Sequence, residues 1–397
     1  MKENKWIVYG SNLSPFTLKV LALCSFAGLD YRYFPEEGNT LENIRIQVRL
    51  KLLKSGILPL AWPEMSELDE FPLVPFLFGP NGENLYDSSA IGVWLDREAP
   101  LENRFARFYP EDDPALDFTN WLIDEYADEY GLYIVHHFRW KVSARDNVAG
   151  KNLAGELRSM AGLAKPLVSR YFSARQVRRL PYLFSVAPKG FHMDGLPARL
   201  QPPSRPDFPP THELIEDSYA RLLEALEGIL QSRPYILGDR FTAADASVYG
   251  QISMNLDDPS AAKFIGEKAP TVFAWTNRIR KADFSNSKAD GRLTLDDAIT
   301  PLLTEICRTY VPLMKQNYKA YVQCKKEGET LFNEAAFNKN RALYGGEIDG
   351  RPFRSVVKTF QVQTWLNIRR KWTRLDEDSK RRVEAVLPSD HGLEEDM

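Results

Sequence analysis

Apolar and polar positions along this chain fall into two periods, and the change between them sets out the first hundred residues. Trp6-Ile7-Val8-Tyr9 is short, apolar and partly β-branched, which predicts a buried strand. Gly10 to Leu13 is turn material. Ser14 then offers an N-cap hydroxyl, Pro15 suits a first helical position, and Leu18, Leu21, Leu23 and Phe26 recur at helical spacing. Tyr31-Arg32-Tyr33-Phe34 predicts a second strand. Residues 41–55 predict a helix with Ile44, Val48 and Leu52 on its inner face and Arg45, Arg49, Lys51 and Lys54 on a solvated one. Residues 56–70 read as a loop. A strand over 73–78, a turn at Gly79-Pro80-Asn81-Gly82-Glu83 and a return strand at Leu85-Tyr86 form a hairpin, and Asp87-Ser88 caps a helix running to about Asp96.

From Asp112 the pattern turns helical and stays so. Residues 114–140 carry Phe118, Leu122, Tyr126, Tyr130, Ile134 and Phe138 at helical spacing, studded with Asp124, Glu125, Asp128 and Glu129. Residues 152–176 form another helical pattern with a break near Pro166. The proline-rich stretch 177–210 reads as an ordered irregular insertion, because Leu180, Tyr182, Leu183, Phe184 and Phe191 give it apolar surface to bury. A helix over 211–232 follows, and Thr242 with Asp245 forms a capping-box variant. Beyond 286, helices are expected near 295–325 and 353–373, separated by turns at Gly345-Gly346 and Asp349-Gly350, with aromatic residues that suit packing on the main body.

A length of 397 residues allows two or three domains. A net charge of −3 argues against a nucleic-acid footprint. Cys24, Cys307 and Cys324 lie far apart, so neither a disulfide framework nor a metal site is expected. No signal-peptide pattern and no spanning apolar run is seen, which points to a cytoplasmic protein that meets no membrane. Adjacent His136 and His137 diverge by about 100° on a helix and form no chelating pair; one core and one surface histidine are expected.

The run Ser14-Pro15-Phe16-Thr17-Leu18-Lys19-Val20 resembles the helix start of serine-type glutathione transferases of the tau, phi and theta classes. Leu73-Val74-Pro75-Phe76-Leu77 with Asp87-Ser88-Ser89-Ala90-Ile91, and later Leu237-Gly238-Asp239-Arg240-Phe241-Thr242-Ala243-Ala244-Asp245, match that family at the right distances. The resemblance implies an α+β fold: a thioredoxin-like β-α-β-α-β-β-α domain over 1–100, then an all-α domain over 101–285. A helical extension over 286–397 lies beyond the matching motifs. It implies a cis peptide before Pro75, with Val74 turning its backbone to the ligand. Ser14 takes the position of the catalytic serine, with Ser11 and Tyr9 in reserve. Asp87 and Ser88 would receive the γ-glutamyl end of glutathione, and Arg45, Arg49, Lys51 or Lys54 the glycyl carboxylate.

The chemistry has a physical basis. A free thiol titrates near about 8.5, and lowering that by ~2 units takes about 2.7 kcal/mol of selective thiolate stabilisation. A hydroxyl and unpaired N–H groups at a helix start can supply much of it. The expected activity is attack by the glutathione thiolate on a small hydrophobic electrophile, or peroxide reduction, in a detoxifying homodimer. Glutathione is the co-substrate, no cofactor is tightly bound, and Tyr126, Tyr130 and Trp140 are candidates for the electrophile pocket. The alternative is a non-catalytic ligand- or protein-binding module on the same fold.

Overall fold

A computed structural model describes residues 5–61, 63, 64, 66–68, 70, 74–98, 107–158, 162–288 and 290–394. β1 (Trp6–Tyr9) lies inside a four-stranded sheet of order β2-β1-β3-β4, where β2 is Tyr31–Phe34, β3 is Phe76–Phe78 and β4 is Asn84–Tyr86. β1 runs parallel to β2 and antiparallel to β3, which is antiparallel to β4. α1 (Pro15–Phe26) makes the crossover between the parallel strands, α2 (Thr40–Lys54) follows β2, and α3 (Ser88–Arg97) follows β4. This is the thioredoxin-like arrangement that the first hundred residues predict. Leu73, part of the expected third strand, lies outside the described residues.

Register puts three segments at one end of this sheet. Tyr9 pairs with Phe76, and Phe76 pairs with Tyr86. The turn after β1, the Val74-Pro75 segment before β3 and the Asp87-Ser88 segment after β4 therefore leave the sheet on the same edge. The peptide before Pro75 is cis, as expected, and so is the one before Pro35.

The rotation of α2 differs from the expectation. Its buried residues are Asn43, Ile46 and Leu53, while Ile44 and Val48 are about half exposed, at 51% and 50%. Hydrogen bonds chose the face. Asn43 Nδ2 donates to the carbonyls of Pro35 and Gly38, each at 3.0 Å. Arg49 donates from Nε to Asn84 Oδ1 at 2.7 Å and from Nη2 to the Glu83 carbonyl at 2.8 Å, with its guanidinium over the Phe78 ring. Those anchors outweigh the burial of two aliphatic side chains.

The long helical stretch opens at α4 (Pro114–Tyr126), capped by Asp113, and continues through a π turn (Ala127–Gly131), α5 (Leu132–His137) and a second π turn (Phe138–Val142). Each π turn rotates the following residues relative to an uninterrupted α-helix. Both histidines are buried, against the expectation of one on the surface. The insertion covers the second: His137 Nδ1 pairs with Ser185 Oγ at 2.8 Å and its Nε2 with Glu216 at 3.0 Å. The pattern over 152–176 is two helices, α6 (Ala149–Glu156) and α7 (Lys165–Arg178), with Pro166 in the first turn of the second.

α8 (His212–Ser232), α9 (Ala243–Ser253), α10 (Pro259–Lys268) and α11 (Pro270–Arg280) complete the helical layer. The Thr242–Asp245 box forms as expected: Asp245 accepts from the Thr242 amide at 2.9 Å and from Ile236 N–H at 2.8 Å. The insertion is ordered, and it packs on the C-terminal extension. Tyr182 and Phe208 meet Phe337, and Arg205 lies 3.5 Å from the centre of that ring.

The extension comprises α12 (Thr300–Lys326), α13 (Asn333–Asn338), a β5–β6 hairpin (Leu343–Ile348 and Arg351–Val356), α14 (Thr359–Arg374) and α15 (Glu377–Glu384). The hairpin corrects two expectations. Gly345-Gly346 lies inside a strand, and the helix expected from 353 begins at Thr359. Asp349 and Gly350, at φ +52° and +68°, form a two-residue turn whose positive φ angles match the twist of the flanking strands. Trp372 against Phe118, and Lys371 Nζ at 3.0 Å from Asp117, hold the extension to the body.

One buried ion cluster joins the layers. Lys19 on α1, fully buried, places Nζ 2.6 Å from Asp124 Oδ1, 2.7 Å from Asp128 Oδ2 and 2.7 Å from Ser89 Oγ. Burial alone would discharge the amine, but the two carboxylates hold it protonated. Removing the cation strands two buried carboxylates. Lys19→Met is expected to destabilise the fold by ~3–5 kcal/mol in urea unfolding. A loss below about 1 kcal/mol would show that the carboxylates are discharged without it.

His212 is buried with neither ring nitrogen bonded among the described residues, and burial pushes its pKa down to about 3. A histidine kept neutral in the fold stabilises it above its unfolded pKa of about 6.5, and that contribution drains away as pH falls towards the folded value. His212→Leu should therefore reduce the stability lost between about pH 7 and pH 5 by ~2 kcal/mol. Urea midpoints at the two pH values check this; parallel pH profiles of the two proteins would refute it.

Candidate functional site

The edge where three loops leave the sheet also holds two helix starts. Ser14 is the N-cap of α1, with extended backbone, and its Oγ accepts from the Thr17 amide at 3.4 Å. Half-buried, its hydroxyl hydrogen has no partner among the described residues. Asp87 is the N-cap of α3; its carboxylate accepts from Ala90 N–H at 2.8 Å, and its φ of +65° is costly for a non-glycine residue. Ser88 and Pro75 are buried, Val74 is partly so, and Asp87 is exposed.

The remaining sequence-derived candidates have other engagements. Tyr9 turns its hydroxyl to Gln47 Nε2, 2.8 Å away, on the α2 side of the sheet. Ser11 donates to Glu156 Oε2 at 2.6 Å and accepts from Leu13 N–H at 3.1 Å. Ser88 Oγ lies 3.5 Å from Asp128 Oδ2 and so faces the Lys19 cluster, as Ser89 does at 3.0 Å from Asp124 Oδ2. Arg49 is committed to Asn84 and Glu83, which leaves Arg45, Lys51 and Lys54 of the four cations on α2. Tyr126, Tyr130 and Trp140 are core residues: Tyr126 stacks on Tyr130, whose hydroxyl pairs with Ser218, and Trp140 packs on Phe172.

Charge gathers on the helical side. Burial pushes the Asp128 carboxyl up to about 6, with Lys19 opposing, and Glu129 up to about 8. Asp87 adds to the field at both. Next along, the extension inserts Lys358, whose Nζ donates to Tyr133 Oη, a hydroxyl that also accepts from Gln361 Nε2 at 2.8 Å. Burial lowers that lysine to about 7, Glu129 opposing. Neither Lys358 nor Glu156 carries a motif, and no spacing rule could have found them. Lys19 stood within the α1 run, and the four carboxylates on an otherwise apolar helix were the visible trace of its partners.

Residues 186–278 match the family model described as glutathione S-transferase, C-terminal domain. No curated protein matches the chain. Among solved structures, a glutathione S-transferase from Methylobacillus flagellatus KT with glutathione bound is 14% identical, spanning 72% of this chain and all of that one, with a TM-score of 0.33. One from Rhodospirillum rubrum F11 is 17% identical over 75% and 92% of the two chains, TM-score 0.37. The β-etherase LigF from Sphingobium sp. strain SYK-6 is 15% identical over 71% and 98%, TM-score 0.41. None of the described helices is long and apolar enough to cross a membrane. Residues 186–278 are thus similar to a glutathione S-transferase C-terminal domain, and they follow a sheet of thioredoxin-like order.

Proposed function

We propose that this protein binds glutathione at the shared edge of the sheet and activates its thiol for attack on a small hydrophobic electrophile. The observation that carries the reading is Ser14. Its oxygen is occupied by the Thr17 amide, so its free hydroxyl hydrogen is the part left to donate to sulfur, at the positive end of α1. In this reading Val74 offers its backbone to the cysteinyl part of glutathione, with Pro75 fixing the turn. Asp87 and the start of α3 receive the γ-glutamyl group, and Arg45, Lys51 or Lys54 receives the glycyl carboxylate. The step is nucleophilic: the sulfur lone pair forms a bond to the electrophile, and the leaving group departs with the electron pair it held.

Burial of Tyr126, Tyr130 and Trp140 favours a second reading, a non-catalytic binding module, because it removes the aromatic side chains proposed for an electrophile pocket. Calorimetric titration with reduced glutathione separates the two. Saturable one-to-one binding, with the bound thiol in Ser14→Ala titrating ~2 pH units higher than in the unmodified protein, supports activation. Ser14→Cys should gain thiol-transfer activity. Absence of binding would sink the transferase reading, and a bound thiol whose titration ignores Ser14→Ala would remove Ser14 from its role.

A further inference from the structure

The turn that would meet an incoming sulfur already holds an anion of the protein's own. Glu156, the last residue of α6, reaches across from the helical domain and is buried at 6% exposure. Its Oε2 accepts the Ser11 hydroxyl at 2.6 Å, and its Oε1 accepts the Asn12 amide at 3.0 Å. Those are two of the donors that the segment ahead of α1 can offer to a negative charge. The same turn is bordered by a second carboxylate, since Asn12 Nδ2 donates to Glu36 Oε2 at 3.3 Å. Tyr33 from β2 and Arg139 from the long helix face the group as well. Arg139 is spent on Asp258, whose Oδ2 lies 2.5 Å from its Nε.

A thiolate added to this turn would put a further charge beside Glu156 and Glu36 with no free cation among those neighbours, and the burial of Glu156 makes that repulsion costly. One arrangement avoids it. We propose that Glu156 is the group that takes up the thiol proton, so that the charge at the turn is the same after ionisation of the bound glutathione as before it. The inference rests on the glutathione reading above. In the step, the S–H bond breaks and its proton passes to the Ser11 oxygen. The hydrogen of Ser11 passes to Glu156 Oε2, leaving sulfur with the electron pair and the carboxyl neutral. Ser14 then donates to the thiolate. Burial favours the step, because it already biases Glu156 towards its protonated form, with the Ser11 and Asn12 hydrogen bonds opposing. Glu156 acts on the sulfur through Ser11 and is a positioning residue in that sense.

Two coupled groups that share one proton have a signature that a merely structural carboxylate lacks. Glutathione is titrated into the unmodified protein and into Glu156→Gln near neutral pH, in buffers of different ionisation heat. Thiolate is counted by its ultraviolet absorbance. In the unmodified protein, thiolate should form with little net proton release, and its fraction should stay flat with pH around neutrality. In Glu156→Gln, which keeps an acceptor for the Asn12 amide, about one proton should leave per thiolate formed, and the fraction should rise up to tenfold per pH unit. Equal proton release and equal slopes in the two proteins overturn the inference and leave the transferase reading intact. Glutathione that fails to bind the unmodified protein overturns both. Should Glu156→Gln not fold, the unmodified protein decides alone, and release of about one proton per thiolate refutes the inference.

Discussion

A single fully buried cation governs how the two domains of this protein meet. Lys19 projects from the first helix of the thioredoxin-like domain into a pair of aspartates one turn apart on the long helix, and Ser89 at the start of α3 closes the shell. In a dry interface such a group is tolerated only with close to ideal partners, and each partner is tolerated only with it. That mutual requirement fixes the rotation of α1 about its axis, the depth of α3 and the register of the long helix together. Gly250 of α9 packs so closely on α1 that an added Cβ would come within 2.5 Å of the Pro15 carbonyl, so the backbone approach and the ion cluster enforce the same geometry.

The same constraint shapes the candidate site. With α1 and α3 held at one edge of the sheet, the turn before α1 meets Glu156 through Ser11 and Asn12, and the start of α3 meets Asp128 through Ser88. A buried carboxyl group beside each helix start opposes the positive end of the helix dipole there. The three loops of the edge come from a parallel crossover and a hairpin, so the sheet register alone brings Ser14, Pro75 and Asp87 together although more than 70 residues separate the first from the last.

The insertion and the extension are one packing unit as well as two sequence features. Phe337 is clamped by Tyr182, Phe208 and Arg205, and Arg179 pairs with Glu334 at 2.9 Å. Through Lys358 and Gln361 the extension also reaches Tyr133 on the long helix, so the C-terminal residues contribute to the polar interior of the body.

Local chemistry determined much of this protein from the sequence alone. Strand periodicity gave β1 and β2 to the residue, Ser14 and Pro15 defined the start of α1, and Thr242 with Asp245 defined that of α9, because caps and turns are satisfied by neighbours a few residues away. Only the tertiary structure decided where polar side chains with distant partners would go. Asn43 and Arg49 turned α2 against its aliphatic stripe, Gln176 of α7 and Ser185 of the insertion met the two buried histidines, and the strands flanking the Asp349-Gly350 turn took in Gly345-Gly346 and the start of the helix expected from 353. Glu156 meets Ser11 across 145 residues. A hydrogen bond of that span leaves no periodicity in the chain, since its energy depends on burial and distance that no local window contains.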